Sequence, residues 1–179
     1  MYLTNKIGSL AAAAALAAGA GAMAATPATA KPKPKTKGIT VISFDKALAP
    51  VVSKIVVVPP AKASGTQLSF PVSKVVGNGV EHKGGIKVGA VEAKDPIILI
   101  NTETGGASVT LDIVGLSRME VFTIKNFKIR SDDKKKQVWQ GFLHLTSDPI
   151  VVAAFNQQIG AEVFKADMGL GQIRTTINK

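Results

Sequence analysis

Apolar and polar residues alternate along most of this chain, and the alternation has the two-residue period of strands rather than that of a helix. It is clearest over 107–113, where Ala107, Val109, Leu111 and Ile113 share one face and Ser108, Thr110 and Asp112 the other, the pattern of a half-buried antiparallel strand. Residues 137–146 repeat it, with Trp139, Gly141, Leu143 and Leu145 on one face and Gln140, Phe142 and His144 on the other. A third run holds Leu68, Phe70, Val72, Val75 and Val76. Gly77-Asn78-Gly79 then supplies residues that tolerate positive φ, so 68–91 predicts a hairpin. Past that turn Val80 and His82 fall on one face, Glu81 and Lys83 on the other. Gly84-Gly85 predicts a bulge or a close backbone approach before Ile86 resumes the strand.

The remaining segments fit the same scheme. Residues 39–44 and 51–58 are rich in Val and Ile, with Pro50 and Pro59-Pro60 as bounds, and both read as strands. Residues 61–66 read as a small-residue loop. Asp95-Pro96 predicts a break before 97–100, an apolar run suited to a strand buried on both faces or at a sheet end. In 118–129 the apolar set moves out of phase between Phe122/Ile124 and Phe127/Ile129, which a bulge near Lys125-Asn126 would repair. Residues 131–136 form a charged hairpin tip, and Gly169 and Gly171 mark a turn before a last strand over 172–177. One helix interrupts the pattern: Ser147-Asp148-Pro149 supplies a cap and a first-turn proline, and Ile150, Val151, Ala154, Phe155 and Ile159 recur at helical spacing before Gly160. That stripe is expected to lie on a sheet. About eight to ten short strands with one late helix predict a mainly β chain, an antiparallel β-sandwich or barrel-like fold.

The N-terminus changes the domain count. Lys6 precedes an Ala- and Gly-rich run over 7–25, with small-residue sites at Ala22-Met23-Ala24 and Ala28-Thr29-Ala30, the signature of a secretory signal peptide over 1–30 with cleavage near Ala24 or Ala30. The run is too weakly hydrophobic for a good spanning helix, so the mature chain is expected to be secreted or envelope-associated and not transmembrane after signal removal. Residues 31–38 alternate Lys and Pro, which favours an extended, solvated linker. Residues 39–179 then make one β-rich domain of about 140 residues, a common single-domain size.

Composition narrows the chemistry. The chain has no cysteine, which removes disulfides, thiolate nucleophiles, lipid acylation of a new N-terminal Cys and zinc–sulfur sites. Its formal charge is +10, and that sign draws a protein to polyanions such as wall polymers, acidic lipids or nucleic acid. With one Trp and seven scattered Phe there is no interleaved stacking platform, so no specific nucleic-acid partner is expected.

No catalytic constellation stands out. Val114-Gly115-Leu116-Ser117-Arg118 has Arg where a nucleophile elbow needs its second Gly. Glu81, Glu92, Asp95, Glu103 and Asp112 would have to converge in space to cleave a glycoside, and their spacing gives no sign of it. Gly77, Gly79, Gly84 and Gly85 precede no helix pattern and so make no phosphate cradle. His82 and His144, the only histidines, remain as nitrogen donors for a metal or a haem iron, with a hydrogen-bonded histidine beside the Gly-Gly bulge as the plain structural reading of His82.

Phe70-Pro71-Val72, Gly79-Val80-Glu81-His82-Lys83-Gly84-Gly85, Leu145-Thr146 and Ala153-Ala154-Phe155-Asn156 together resemble the HtaA-type domains of exported actinobacterial proteins, over about 68–177. The resemblance implies an exported β-rich domain that captures haem at the cell surface, with His82 the best match to a motif position and His144 a weaker one. It also implies iron ligation by tyrosine, and the only tyrosine here, Tyr2, lies in the signal segment. Two readings are open: haem bound through His82 in another manner, or a relative that kept the scaffold and lost the ligand. Fold does not fix function, which favours the second.

The expectation is therefore a non-enzymatic, exported binding module for haem or another small apolar ligand. The alternative is a structural envelope protein that adheres to an anionic cell-envelope polymer through its basic linker and surface.

Overall fold

The computed structural model describes residues 37–101 and 103–179; the expected signal segment and linker positions 31–36 lie outside the described residues. The strands are β1 (Gly38–Phe44), β2 (Val56–Val58), β3 (Lys62–Ser64), β4 (Gln67–Val76), β5 (Gly79–His82), β6 (Gly85–Val88), β7 (Val91–Asn101), β8 (Gly106–Ile113), β9 (Arg118–Asp132), β10 (Lys136–Leu145) and β11 (Gly169–Asn178). A 3-10 turn over Lys46–Leu48 and two short α-helices, α1 (Ala49–Val52) and α2 (Pro149–Ile159), complete the described elements.

Eight strands close on themselves in the order β1-β11-β10-β9-β8-β7-β5-β4, all antiparallel, with the β7–β8 pairing completing the ring. Of the two architectures the sequence allowed, the molecule is the barrel. β6 adds to the first half of β7 and β2 adds to β6, while β3 pairs with the start of β4. Closure leaves the ring strands with no open edges, and the inward residues make the core. Leu68, Phe70 and Val72 from β4, Val109 and Leu111 from β8, Leu143 and Leu145 from β10 and Ile173 from β11 are all buried. Trp139 meets Phe127 edge to face with ring centroids 5.6 Å apart.

Local signals explain most element boundaries. The β4–β5 hairpin turns at Gly77-Asn78, as its glycine pattern predicts. At Gly84 (φ +92°) an added Cβ would stand 2.6 Å from Ala61 N and 2.7 Å from Val58 O, so the Gly-Gly element is a close backbone approach. The bulge expected at Lys125-Asn126 is present: Gln140 pairs with Lys128 but Phe142 with Lys125, and Asn126 takes φ 51°. α2 starts with Pro149 in its first turn and the Asp148 side chain accepting from Ile150 N at 2.8 Å, and it stops at left-handed Gly160.

Five expectations are corrected. Gly169 and Gly171 mark no turn, because both lie inside β11, where Gly169 pairs with His144 and Gly171 with Phe44 and Leu143. Residues 51–58 are not one strand: Pro50 falls in the first turn of α1, where its missing N–H is no loss, and Val51 and Val52 are buried as helical residues before the short β2. Residues 61–66 hold β3, which pairs with β4 across the turn at Gly65. Asp95-Pro96 does not end a strand. Asp95 takes φ 44° and the β7–β8 register shifts between Lys94 and Ile97, so a bulge carries the proline inside continuous β7. Ile150 belongs by spacing to the apolar stripe of α2, yet it is 73% exposed at the first turn.

Candidate functional site

His82 sits at the end of β5 with its ring turned into the barrel, 2% exposed. Its Nδ1 lies 3.0 Å from the carbonyl of Pro96 on β7, and a carbonyl only accepts, so Nδ1 carries the proton. Nε2 is then an acceptor, and the Thr40 hydroxyl on β1 donates to it at 2.6 Å. Thr40 has spent its hydrogen, so Thr175 of β11, 2.8 Å away, donates to Thr40 Oγ1. A directed chain thus runs from β11 through β1 and β5 to β7, each link worth about 1 kcal/mol net. The apolar walls make charging the ring costly, and burial pushes the His82 pKa from its ordinary 6.5 down to about 4. The space beside the ring is only about 30 Å³.

His144 lies on the outer face near the end of β10, its side chain 21% exposed. Nδ1 donates to the Asp167 carbonyl at 3.0 Å, while the Asp167 carboxylate bonds Lys125. That bond from Lys125 holds the Asp167 carboxyl below the usual range. The two histidines are on opposite faces of the barrel wall and build no common site.

The carboxylates are dispersed. Glu92 pairs with Lys94 at 2.8 Å and Asp95 with Lys83 at 3.7 Å. Among the described residues no three His, Asp or Glu gather at metal-binding distance. Ser117 sits in the β8–β9 hairpin turn rather than on a strand-to-helix elbow.

The feature that sequence reading missed is an apolar cleft of about 130 Å³ where α2 crosses the tips of the β6–β7 and β8–β9 hairpins. Val88, Ile113, Met119 and Phe155 form its walls, and Leu116 and Ile150 its rim, 75% and 73% exposed. Gln158 anchors the helix over it, its Oε1 accepting from Ala90 N at 3.0 Å, and Lys54 Nζ donates to the Ile159 carbonyl at 3.0 Å. Phe155 is held edge-on by Phe122 (6.1 Å) and Phe164 (5.7 Å). Two large apolar side chains, Leu116 and Ile150, are thus left in water beside the apolar cleft. The available signal was Leu116, an isolated Leu in a tight turn.

Fold and cleft define the class: a closed antiparallel barrel with an apolar mouth under one late helix. Solved structures that share this fold include two from one organism. The C-terminal domain of HtaA from Corynebacterium glutamicum superposes with TM-score 0.55 at 11% identity, covering 80% of this chain and 97% of that one. Heme binding protein HtaB from the same organism gives TM-score 0.53 at 12% identity, covering 80% and 94%. No family model and no curated protein sequence matches the chain. The resemblance to HtaA-type domains therefore holds at the level of fold.

The residues present do not fit iron ligation at His82. Both ring nitrogens are engaged, and the adjoining space admits about one water. His144 keeps Nδ1 on a backbone carbonyl and does not line the cleft. Tyr2 lies outside the described residues.

Proposed function

We propose that this chain is an exported, non-enzymatic binding domain that holds an apolar ligand in the cleft under α2. The carrying observation is the cleft itself, dry-walled and rimmed by exposed Leu116 and Ile150. Export rests on the signal-like residues 1–30, and the fold shared with heme binding protein HtaB makes haem the first ligand to test. A flat apolar molecule would seat one edge in the cleft and lie against the rim, gripped by apolar contact at about 25 cal/mol per Å². His82 serves the barrel and not the ligand.

Haemin titration followed at the Soret band tests this in the parent chain, His82→Gln and the double variant Leu116→Asp/Ile150→Asp. The expected result is retained binding in His82→Gln and at least about tenfold weaker binding in the double variant, since each buried aliphatic contributes about 1.5–3 kcal/mol. Binding lost in His82→Gln and kept in the double variant would overturn the reading. So would failure of both haemin and the apolar dye 1-anilinonaphthalene-8-sulfonate to bind at all.

A further inference from the structure

The barrel is electrostatically two-sided. β1, β3, β4, β10 and β11 contain no Asp or Glu, whereas Glu81, Glu92, Asp95, Asp112 and Glu120 lie on β5, β7, β8 and the first part of β9, and the one further strand carboxylate, Asp132 at the end of β9, is engaged by Lys179 and Gln137. Of these strands β4, β1, β11 and β10 are contiguous in the ring and β3 pairs with β4, so the five form one wall bordered by β9, while the acid-free β2 and β6 lie beyond β7. A single cross-strand row on its outer face runs Lys62, Ser69, Val41, Arg174, Gln140 and continues onto the adjoining β9 at Lys128, by direct pairing. The flanking inward residues Leu68, Thr40, Ile173 and Trp139 are buried, which turns this row to solvent. Lys62, Arg174 and Lys128 are exposed, and none makes an ion pair among the described residues. At about 4.8 Å per strand the three cations stand roughly 14 and 10 Å apart. Exposed Arg130 sits beside the row at the β9–β10 register shift.

We propose that this wall docks an extended, flexible polyanion of the cell envelope, one with regularly repeated anionic groups. Three points favour that occupant. The cations are spaced along a line rather than gathered round one point, so they match a chain and not a single anion. Among the described residues no carboxylate pairs with them, and the sequence of residues 1–36 contains no Asp or Glu. Lys37, the last lysine of the Lys-Pro run, lies at one margin of the same wall, its N–H donating to Val72 O and its carbonyl accepting from Asn178 N. A nucleic acid is the poorer match, since the row carries no aromatic side chain on which a base would stack. The site is separate from the cleft, which uses β6 to β9 and α2.

The experiment is binding of long-chain inorganic polyphosphate to the full chain at physiological ionic strength, in the parent, in Lys62→Gln/Lys128→Gln/Arg174→Gln, and in the charge-matched control Lys46→Gln/Lys87→Gln/Lys165→Gln. The row variant should bind at least about tenfold more weakly, with its log–log salt dependence flattened by about 2, as expected for three lost phosphate contacts. The control should stay within about threefold of the parent, and apolar dye binding in the cleft should be unchanged in both. Equal weakening of the two variants would overturn the proposal, because net charge alone would then explain it. No binding by the parent would do so too, as would tenfold tighter binding of oligothymidylate than of polyphosphate with the same number of charges.

Discussion

Ile86 and Leu111 line both the space beside His82 and the cleft under α2. On the barrel side the space is about 30 Å³ and its polar atoms are committed to one another: Thr175 to Thr40, Thr40 to His82, His82 to Pro96. On the helix side the volume is about 130 Å³, no polar network crosses it, and two large aliphatic side chains stand in water at its edge. The contrast shows how to weigh a lone histidine on an apolar face. Such a ring draws attention because it is chemically capable, yet its capability is spent once both nitrogens have partners. The cleft under α2 differs in kind: its lining is hydrocarbon apart from Gln158, whose amide oxygen is already engaged by Ala90 N.

The contrast can be broken at the histidine first. His82→Ala should cost about 3–5 kcal/mol in denaturant unfolding, because it leaves a cavity and strands the Thr40 hydroxyl and the Pro96 carbonyl without their partner. A loss below about 1 kcal/mol would mean that the hydrogen-bonded chain is not holding the barrel as described. Protonation is the next largest effect. Below pH 6.5 the unfolded chain takes up a proton that folded His82, with its pKa lowered to about 4, refuses. Stability should therefore fall as pH drops from 6.5 towards 4, by about 3 kcal/mol in all, and be insensitive to this group above 6.5. His82→Gln should remove that part of the pH profile, and a profile identical to the parent's would assign it elsewhere.

The helix side gives smaller changes in stability. Asp148→Ala removes the cap of α2 and should cost about 1 kcal/mol. It should also weaken dye binding in the cleft while leaving the His82 part of the pH profile intact. Leu116→Asp/Ile150→Asp should change stability by no more than about 0.5 kcal/mol, since both side chains are already exposed, yet it should abolish most ligand binding. A large loss of stability there would show that the rim is part of the core.

How much of this is legible in the sequence depends on whether the signal is local. The β4–β5 turn, the bulge at Asn126 and both caps of α2 are each written in a few adjacent residues, and the fold realises each of them. Asp95-Pro96 misleads because a proline is normally excluded from a ladder, and only the neighbouring strands reveal the bulge that accommodates it. Pro50 misleads in the opposite sense, since it opens a helical turn where a strand start is expected. The cleft is invisible for a physical reason. Its walls come from three segments separated along the chain, and Ile150 carries the helical spacing of a core residue although α2 presents it to solvent. His82 stands out because histidine is rare here, but whether it is open or sealed depends on Thr40, Thr175 and Pro96, which no spacing rule connects to it.

The most direct test places the ligand without altering the protein. Methyl-detected NMR of the full chain, titrated with 1-anilinonaphthalene-8-sulfonate, reports both regions in one experiment. Shifts should be largest at Val88, Ile113, Leu116 and Ile150 and negligible at Leu68 and Ile98. Shifts centred on Leu68 and Ile98, with the cleft methyls unmoved, would place the ligand beside His82 and contradict its assignment to the cleft.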